Sequence, residues 1–330
     1  MSDSATLGDK QPIQWLDGFS CSECRVTLPP HDDYFDEYFR TGAATCPACG
    51  KKVDFWAMAT EFVDKEFVNE WIAFRSVGAV VSHRSYELLP GTIVAVSLSD
   101  LGVPEDAEVL SVGISTIGVG DSKPVFPCLA VQNGLILDPF PREFVLYGRG
   151  TGEPTARSFA QVSVKWHPVS ELEVSYHHLA DAARRFAAKK YLAMVVPANI
   201  AVEAALTPVL NRWVRQYCGP DDADRFLSGH GASYAHQLRV VSRISARTLG
   251  LPEMPGRLRN LIDELRSYRN EIVHRGRLDH KKQALTYSKA LLFLIAASFG
   301  VEYARFLRRA LDGSNAGSPA EGDSREATPA

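Results

Sequence analysis

The residue types best suited to chemistry lie together in the stretch RNEIVH, residues 269–274, which is followed by Arg275 and Gly276. Histidine has a reference pKa of about 6.5 and can act as a general acid or base near neutrality. Arginine stays charged and can hold two phosphate oxygens at once. RNA supplies its own nucleophile, because attack by the 2′-hydroxyl on the adjacent phosphorus gives a 2′,3′-cyclic phosphate without a metal. Arg269 and His274 therefore predict metal-independent RNA cleavage.

A helix is expected to position these side chains. Apolar residues recur before and within the stretch at steps of three and four, which places them on one helical stripe: Leu258, Leu261, Ile262, Leu265, Tyr268 and Ile272. Arg269 falls on this stripe, so its guanidinium should point at a neighbouring helix or a partner chain. His274 should end the helix, with Gly276 as a left-handed stop, beside carbonyl groups that favour a protonated imidazole.

Glu203 is a candidate partner for Arg269. It lies beside another apolar stripe, where an unpaired carboxylate is unfavourable; this stripe consists of Leu206, Val209, Leu210, Trp213, Val214 and Tyr217. An ion pair with Arg269 would orient the guanidinium for phosphate binding. The alternative is a purely structural ion pair. Pro208 is expected to kink or divide this helix.

The RNEIVH stretch resembles the signature of the HEPN superfamily, in which an arginine, a polar residue and a histidine close one helix of a small bundle. Residues 198–206 look like the family's first core helix and residues 290–300 like its last, and the resemblance covers roughly residues 170–310. It implies phosphate binding by Arg269, polar support by Asn270 and proton transfer by His274. It also implies a homodimer in which both motifs face one cleft, and a role in toxin–antitoxin or antiviral defence, although many relatives are non-catalytic binding modules.

Four cysteines near the start predict a metal site. Cys21 and Cys24 form one Cys-x-x-Cys knuckle, and Cys46 and Cys49 form a second one after a spacer of 21 residues. Two knuckles at this separation can place four thiolates around one zinc ion, with no open position for chemistry. We therefore expect one structural Zn²⁺ per chain in a zinc ribbon and no cofactor for catalysis. Disulfides are the alternative; they are disfavoured by the lack of a signal-like N-terminus and the reducing cytosol.

Composition is that of an ordinary globular chain, with 45% hydrophobic and 23% charged residues among 330 and a net charge of −3. The net charge gives no overall positive field of the kind that favours nucleic-acid binding. Residues 257–282, however, contain eight Lys or Arg against four Asp or Glu. This local excess suits a phosphate substrate, although such a run is often only a solvated helix face. The apolar run at residues 290–300 is shorter than a membrane span. A cytoplasmic location without membrane contact is expected.

The predicted fold class is multidomain α+β. Strand patterns between residues 82 and 167 alternate with Pro, Gly, Asn and Asp turns, and indicate an antiparallel sandwich or barrel. Residues 57–74 fit either an amphipathic helix or a pair of strands. A capping-box pattern at residues 170–173 marks the change to helices. The predicted parts are a lead (1–18), a zinc ribbon (19–56), a connector (57–81), a β-rich domain (82–168), a HEPN-like all-α bundle (169–311) and a disordered tail (312–330).

Other motifs are assigned structural roles. Gly118-Val119-Gly120 lacks the continuation of a phosphate loop and is interpreted as a turn, as is Asn133-Gly134. The adjacent histidines His177 and His178 point to different faces of a helix and are expected on the surface or in packing. Cys128 and Cys218 are expected to be packed thiols.

Two further functions remain open beside endoribonuclease activity. The bundle could be a non-catalytic regulator that binds nucleotide, RNA or a protein, with Arg269 and His274 maintaining its interface. The chain could also be a transcription or replication accessory factor, which predicts duplex DNA binding with a steep salt dependence. A ribonuclease would need control, so a triggering or inhibitory protein partner is expected along with RNA.

Overall fold

The computed structural model has a mixed α+β fold, with a four-cysteine cluster, a strand-rich middle and a C-terminal helical bundle. It describes residues 15–16, 19–24, 26–28, 32–61, 63, 80–118, 126–129, 142–149, 158–167, 173–229, 233–275 and 285–316. The predicted fold class is confirmed.

Short elements carry the cysteines. Each knuckle sits between two very short antiparallel strands, β2 (Phe19–Ser20) with β3 (Thr27–Leu28), and β4 (Ala44–Thr45) with β5 (Lys52–Val53). Helix α1 (Asp32–Thr41) occupies the spacer, and α2 (Phe55–Thr60) follows β5. The region therefore contains two helices as well as the strands that a ribbon alone would have. Residues 57–60 belong to α2 and are therefore helical. Most of residues 61–74, for which a helix or a pair of strands was expected, lie outside the described residues.

The middle of the chain forms two antiparallel sheets. Their long strands are β6 (Val80–Leu88), β7 (Ile93–Ser97), β8 (Glu108–Gly118), β9 (Phe126–Leu129), β10 (Glu143–Arg149) and β11 (Ser158–His167). One sheet has the order β1-β6-β11-β8 and the other β7-β10-β9, where β1 (Trp15–Leu16) is an edge strand. Residues 15–16, predicted as part of the lead, thus join the middle sheet.

The two sheets share a core because buried and partly exposed side chains alternate along their strands. Along β11, Ala160, Val162 and Val164 are buried while the residues between them are partly exposed. They pack with Phe144 and Leu146 of the other sheet in one apolar cluster. The predicted β-rich region is confirmed, and the Asn133-Gly134 turn lies outside the described residues.

The bundle consists of helices that pack around one central element. They are α3 (Val174–Ala187), α4 (Tyr191–Tyr217), α5 (Pro220–Ser228), α6 (Tyr234–His236), a π-helical turn (Gln237–Val241), α7 (Ser242–Thr248), α8 (Gly256–Arg275) and α9 (Tyr287–Ala316). The central helix α9 is buried along much of its length and contacts α3, α4 and α8. At Gly300 a Cβ atom would lie 2.8 Å from Ile262 Cδ1, so glycine permits the close approach of α9 to α8.

Pro208 does not divide its helix, and α9 extends further than expected. Pro197 and Pro208 both lie inside α4, which runs unbroken from Tyr191 to Tyr217, because packing on both sides compensates for the lost backbone hydrogen bonds. Helix α9 continues through residues 312–316, which were predicted to be disordered. Arg212 of α4 holds its end through an ion pair of 2.5 Å with Asp312.

The cysteine region and the bundle share one hydrophobic core. Phe35 of α1 lies 5.7 Å, centroid to centroid, from Phe299 of α9, and Phe39 lies 5.3 Å from Tyr303. Trp56 of α2 also contacts Phe299 edge-on, at 5.2 Å. The two predicted segments therefore form a continuous packed unit.

Helices α4 and α9 meet the length and composition expected of membrane spans. Each contains an 18-residue window with a mean hydropathy of 1.6, although residues 290–300 alone seemed too short. Within the most apolar window, 56% of the α4 residues and 89% of the α9 residues are buried inside the protein. Core helices of water-soluble folds pass the same test, so these two helices are weak evidence for a membrane.

Candidate functional site

The four predicted cysteine ligands converge. The sulfur atoms of Cys21, Cys24, Cys46 and Cys49 all lie within 4.8 Å of one another. The closest contacts join the knuckles, with 3.5 Å between Cys21 and Cys49 and 3.5 Å between Cys24 and Cys46. A disulfide would need about 2.05 Å between sulfurs, so these are free thiols at the spacing of a metal site.

The two knuckles repeat the same backbone hydrogen bonds. Cys21 N–H donates to Val26 O and Cys46 N–H donates to Lys51 O, both at 2.8 Å and both spanning five residues. In each knuckle the second cysteine is exposed and the first is buried. Gly50 closes the second turn with a φ of +70°, a conformation that side chains rarely adopt. The sequence therefore builds one turn twice and brings the copies face to face.

This donor set fits a soft divalent cation. Four thiolates at zinc–sulfur distances of about 2.3 Å would form a tetrahedron with edges of about 3.8 Å. The observed sulfur separations, from 3.5 Å up to 4.8 Å, bracket that edge. A metal at this position would have four protein ligands and a structural role.

The pKa values of the cysteine thiols also favour a bound cation. The backbone N–H of Cys24 donates to the Cys21 sulfur and lowers the pKa of Cys21 to about 7. For Cys49, the Lys51 N–H acts in the same sense, but burial and the three neighbouring sulfurs outweigh it and raise the pKa of Cys49 to about 12. Four neighbouring thiols resist joint ionisation, and a bound cation would remove that resistance.

Helix α1 is fixed to the second knuckle by one carboxylate. Glu37 accepts hydrogen bonds from the Thr45 N–H at 2.8 Å and from Lys52 Nζ at 2.7 Å, as well as from the Thr45 hydroxyl. These donors, Lys52 first, lower the pKa of Glu37 to about 2. Thr45 immediately precedes Cys46, so the position of α1 and the position of the cysteines are coupled.

The second candidate site lies at the end of α8. Arg269 is partly buried, and its Nη1 donates to Asn270 Oδ1 at 3.1 Å. Its Nε is buried and has no hydrogen-bond partner among the described residues. His274 is exposed one turn further on, at the next-to-last residue of the helix. The helix and the inward orientation of Arg269 are as predicted, while Gly276 lies outside the described residues.

The expected ion pair between Glu203 and Arg269 is not formed. Glu203 instead accepts a hydrogen bond from Asn199 Nδ2 at 3.4 Å, one turn earlier on α4. Its other near neighbour is the buried Tyr234, whose pKa is raised by burial and then by the Glu203 charge. Five of the six residues predicted for the stripe on α4 are buried, whereas Tyr217 is exposed. The sequence could not show which side chain of α6 would lie beside Glu203.

No protein-family model, no curated protein and no solved structure matches this chain. The family resemblance therefore rests on the RNEIVH stretch and the flanking helices.

An arginine network was missed by the sequence analysis. Arg243 Nε and Arg247 Nη2 contact Glu253 at 2.7 Å and 2.6 Å, and Arg259 Nη1 approaches the same carboxylate at 3.8 Å. The hydrogen bond from Arg243 is the main cause that lowers the pKa of Glu253. The spacing of four residues between Arg239, Arg243 and Arg247 was the available signal.

A second carboxylate extends this network along α8. Asp263 binds Arg239 of the π-helical turn and Arg266 of α8, the latter at 3.0 Å. Part of the basic surface predicted for residues 257–282 is therefore neutralised by acids within the fold, and arginines from outside that segment add to it.

The remaining predicted groups have structural surroundings. His177 Nδ1 lies 3.5 Å from Glu108 of β8, which also pairs with Arg184, so this histidine links the bundle to the sheet. Cys218 is exposed, contrary to prediction, because it caps the C-terminus of α4 beyond the buried stripe. The side chain of Cys128 lies outside the described residues.

Proposed function

We propose that this protein is a metal-independent endoribonuclease of HEPN type. In this mechanism, Arg269 binds the scissile phosphate, His274 transfers protons, and the RNA 2′-hydroxyl attacks the adjacent phosphorus. Asn270 supports Arg269 through the hydrogen bond to its Nη1. A role in toxin–antitoxin or antiviral defence follows from the family resemblance, as does control by a triggering or inhibitory protein in the cytoplasm.

One observation carries the proposal. A half-buried arginine held by a neighbouring amide stands one helical turn before an exposed histidine, on the same helix end. The arginine is pre-oriented by packing, which strengthens phosphate binding, while the imidazole is accessible to substrate. Both side chains have the chemistry that cyclising RNA cleavage requires.

A second copy of the chain would complete this site. The family resemblance implies such a pairing, in which the motifs of two protomers face one cleft. Val273, between Arg269 and His274, is an exposed apolar residue with 49% of its surface accessible. We therefore propose homodimerisation through this end of α8, with paired motifs in one cleft. Light scattering should report twice the monomer mass.

The four-cysteine cluster is proposed to bind one structural Zn²⁺. Thiolate donors favour zinc among the common cellular divalent ions when the geometry is tetrahedral. Metal analysis of the purified protein should give about one zinc per chain. The cluster supports the fold next to α1 and is separate from the residues proposed for RNA cleavage.

Incubation of purified protein with total RNA in the presence of EDTA tests the nuclease. Cyclic-phosphate ends produced by the wild type and lost in His274→Ala, with the dimer intact, would establish it. We expect the four cysteines to retain zinc during a brief EDTA incubation, because such zinc exchanges slowly. Metal analysis after the incubation checks this. Absence of such ends at every protein concentration would reject the nuclease.

The second candidate is a non-catalytic regulator whose bundle binds RNA or a protein. One observation favours it: the described part of the chain shows no hydrogen bond that fixes His274, whereas a general base is usually oriented by another group. This function predicts RNA or protein binding that His274→Ala leaves unchanged, with no cleavage by the wild type.

A further inference from the structure

We propose that the arginine network on the π-helical turn, α7 and α8 is a binding track for the phosphate backbone of single-stranded RNA, leading to His274. The phosphate track is defined here as Arg239, Arg243, Arg247, Arg259 and Arg266. This inference deepens the proposed function by naming the substrate form and the surface that holds it.

Charge excess is the first argument. Among the described residues, the five guanidinium groups of the phosphate track share two carboxylates, Glu253 and Asp263. Five positive and two negative charges leave an excess of three positive charges in a chain whose net charge is −3. A guanidinium has five N–H donors, so those not engaged by a carboxylate remain available for phosphate oxygens.

Exposure is the second argument. The side chains of Arg239, Arg243 and Arg247 are 57%, 43% and 67% accessible. The carboxylates beneath them are more buried, with 21% for Asp263 and 27% for Glu253. The acids therefore anchor these three arginines from below and leave their outer edges to solvent, as a preorganised phosphate site requires.

Direction is the third argument. Arg239 of the π-helical turn pairs with Asp263 of α8, whereas Arg247 of α7 pairs with Glu253, which precedes α8. The segment from the π-helical turn to α7 therefore runs opposite to the direction of α8. Arg239, in the π-helical turn before α7, is thus nearer to the C-terminal end of α8 than Arg243 and Arg247 are. On a helical wheel of about 100° per residue, Arg266 shares one face of α8 with Asn270 and His274. The track therefore leads along this face toward His274 over about 16 Å from Asp263.

Apolar side chains between the arginines favour a single strand over a duplex. Val240 and Ile244 are exposed by 39% and 48% and alternate with the arginines on the same helix. Unstacked bases can rest on such apolar surface while phosphates contact the flanking guanidiniums, which is how single-strand grooves combine charge with base contacts. A duplex would hide its bases from these residues.

The test measures binding in the His274→Ala background, where cleavage cannot consume the probe. The probes are fluorescent oligouridylates of about 12 and about 4 nucleotides, within the site sizes common for single-strand grooves. Arg243→Gln/Arg247→Gln removes two track charges. Arg212→Gln/Arg215→Gln is the matched control, because those arginines pair with Asp312 and Asp224 on other helices.

The track variant should bind the longer probe at least about tenfold more weakly than the control variant, since two charge-assisted contacts are lost. The magnitude of its salt slope should fall by about 1.4, at about 0.7 per single-strand phosphate. Affinity for the shorter probe should change little, because that probe can occupy the His274 end alone. Arg247→Gln by itself, the most exposed change, should give about half the loss in slope if the double variant is poorly folded.

Equal weakening by the track and control variants would overturn the inference, and so would tighter binding of duplex RNA or of polyglutamate than of oligouridylate. These outcomes are independent of cleavage. If the wild type produces no cyclic-phosphate ends but the track variant loses long-probe binding, the proposed nuclease fails and the track stands. If the wild type cleaves RNA but the track variant binds the long probe as well as the control variant does, the track fails and the proposed nuclease stands.

Discussion

Asp36 of α1 grips Arg309 of α9 through both carboxylate oxygens, with Arg309 Nε at 3.1 Å and 3.2 Å from them. The residues are 273 positions apart in the chain. The pair joins the helix between the two cysteine knuckles to the central helix of the bundle, beside the contacts of Phe35 and Phe39 with α9.

We expect this ion pair to stabilise the fold measurably. Both side chains are about three-quarters buried, at 25% and 27% accessible, and the contact is bidentate. A double-mutant cycle with Asp36→Asn and Arg309→Gln should give a coupling free energy of about 1–2 kcal/mol, above the range of exposed pairs. Denaturant unfolding of the four proteins measures it. A coupling near zero would mean that the aromatic contacts alone join the two regions.

Metal removal should destabilise the bundle as well as the cysteine region. The reason is that α1 carries aromatic side chains into the same core as α9. Cys21→Ser/Cys49→Ser should abolish zinc binding and lower the melting temperature of the helical signal in circular dichroism.

The control for metal loss is Cys218→Ser, since Cys218 is an exposed thiol outside the cluster. It should retain zinc and an unchanged melting temperature. A bundle that melts at the wild-type temperature in the zinc-free double variant would show that the two regions are energetically independent.

Truncation of Phe299 should be among the most damaging single changes. Its ring contacts Phe35, Tyr38 and Trp56 within 5.2–5.8 Å and is 1% accessible. Phe299→Ala should lower the free energy of unfolding by about 3–5 kcal/mol. Val174→Ala on α3 is the surface control and should cost less than about 0.5 kcal/mol. Similar losses for both would contradict the packing described here.

Much of the secondary structure was predictable because its signals are local. Alternating apolar residues located β11, and steps of three and four located α8 with Arg269 facing inward. The paired cysteines were equally predictable, because two identical turns can be recognised from a few residues each. In these cases the periodicity of the chain and the burial of its faces agree.

Long-range partners were not predictable from the same patterns. Nothing in the sequence near Asp36 indicates Arg309, and the pairing of Glu203 depends on Asn199 and Tyr234 rather than on Arg269. Helix α4 also passes through Pro208 without a break, against the local preference of proline. Tertiary packing decides such contacts, and its partners come from distant parts of the chain.

Stability should depend on Glu253 in acid. Hydrogen bonds from Arg243 and Arg247 lower the pKa of Glu253 below its ordinary value of 4.5. A carboxyl group with a depressed folded-state pKa stabilises the protein above its unfolded pKa, and this contribution is lost as pH falls through the folded value. Glu253→Gln should therefore unfold with a weaker pH dependence below about pH 4.5.

Chemical denaturation at several pH values measures the effect of Glu253→Gln. The matched control is Glu143→Gln, at an exposed position on β10 that has no ion pair among the described residues. The control should follow the wild-type curve. A Glu253→Gln curve parallel to that of the wild type would show that the arginines do not stabilise the charged carboxylate.

Cleavage should separate the roles of Arg269 and Asn270. Arg269→Lys keeps the charge but loses the two-pronged grip on phosphate, so kcat should fall by about 100-fold or more. Asn270→Ala removes only the acceptor that orients Arg269 Nη1 and should cost about tenfold. His274→Ala should lower kcat by about 100-fold to 10,000-fold, the range for a general acid or base.

All three variants should keep the wild-type melting temperature within a few degrees, with a modest loss for Arg269→Lys because Arg269 is partly buried. If Asn270→Ala were as damaging as His274→Ala, the amide would contact the substrate itself, and its role as a positioning residue would have to be given up.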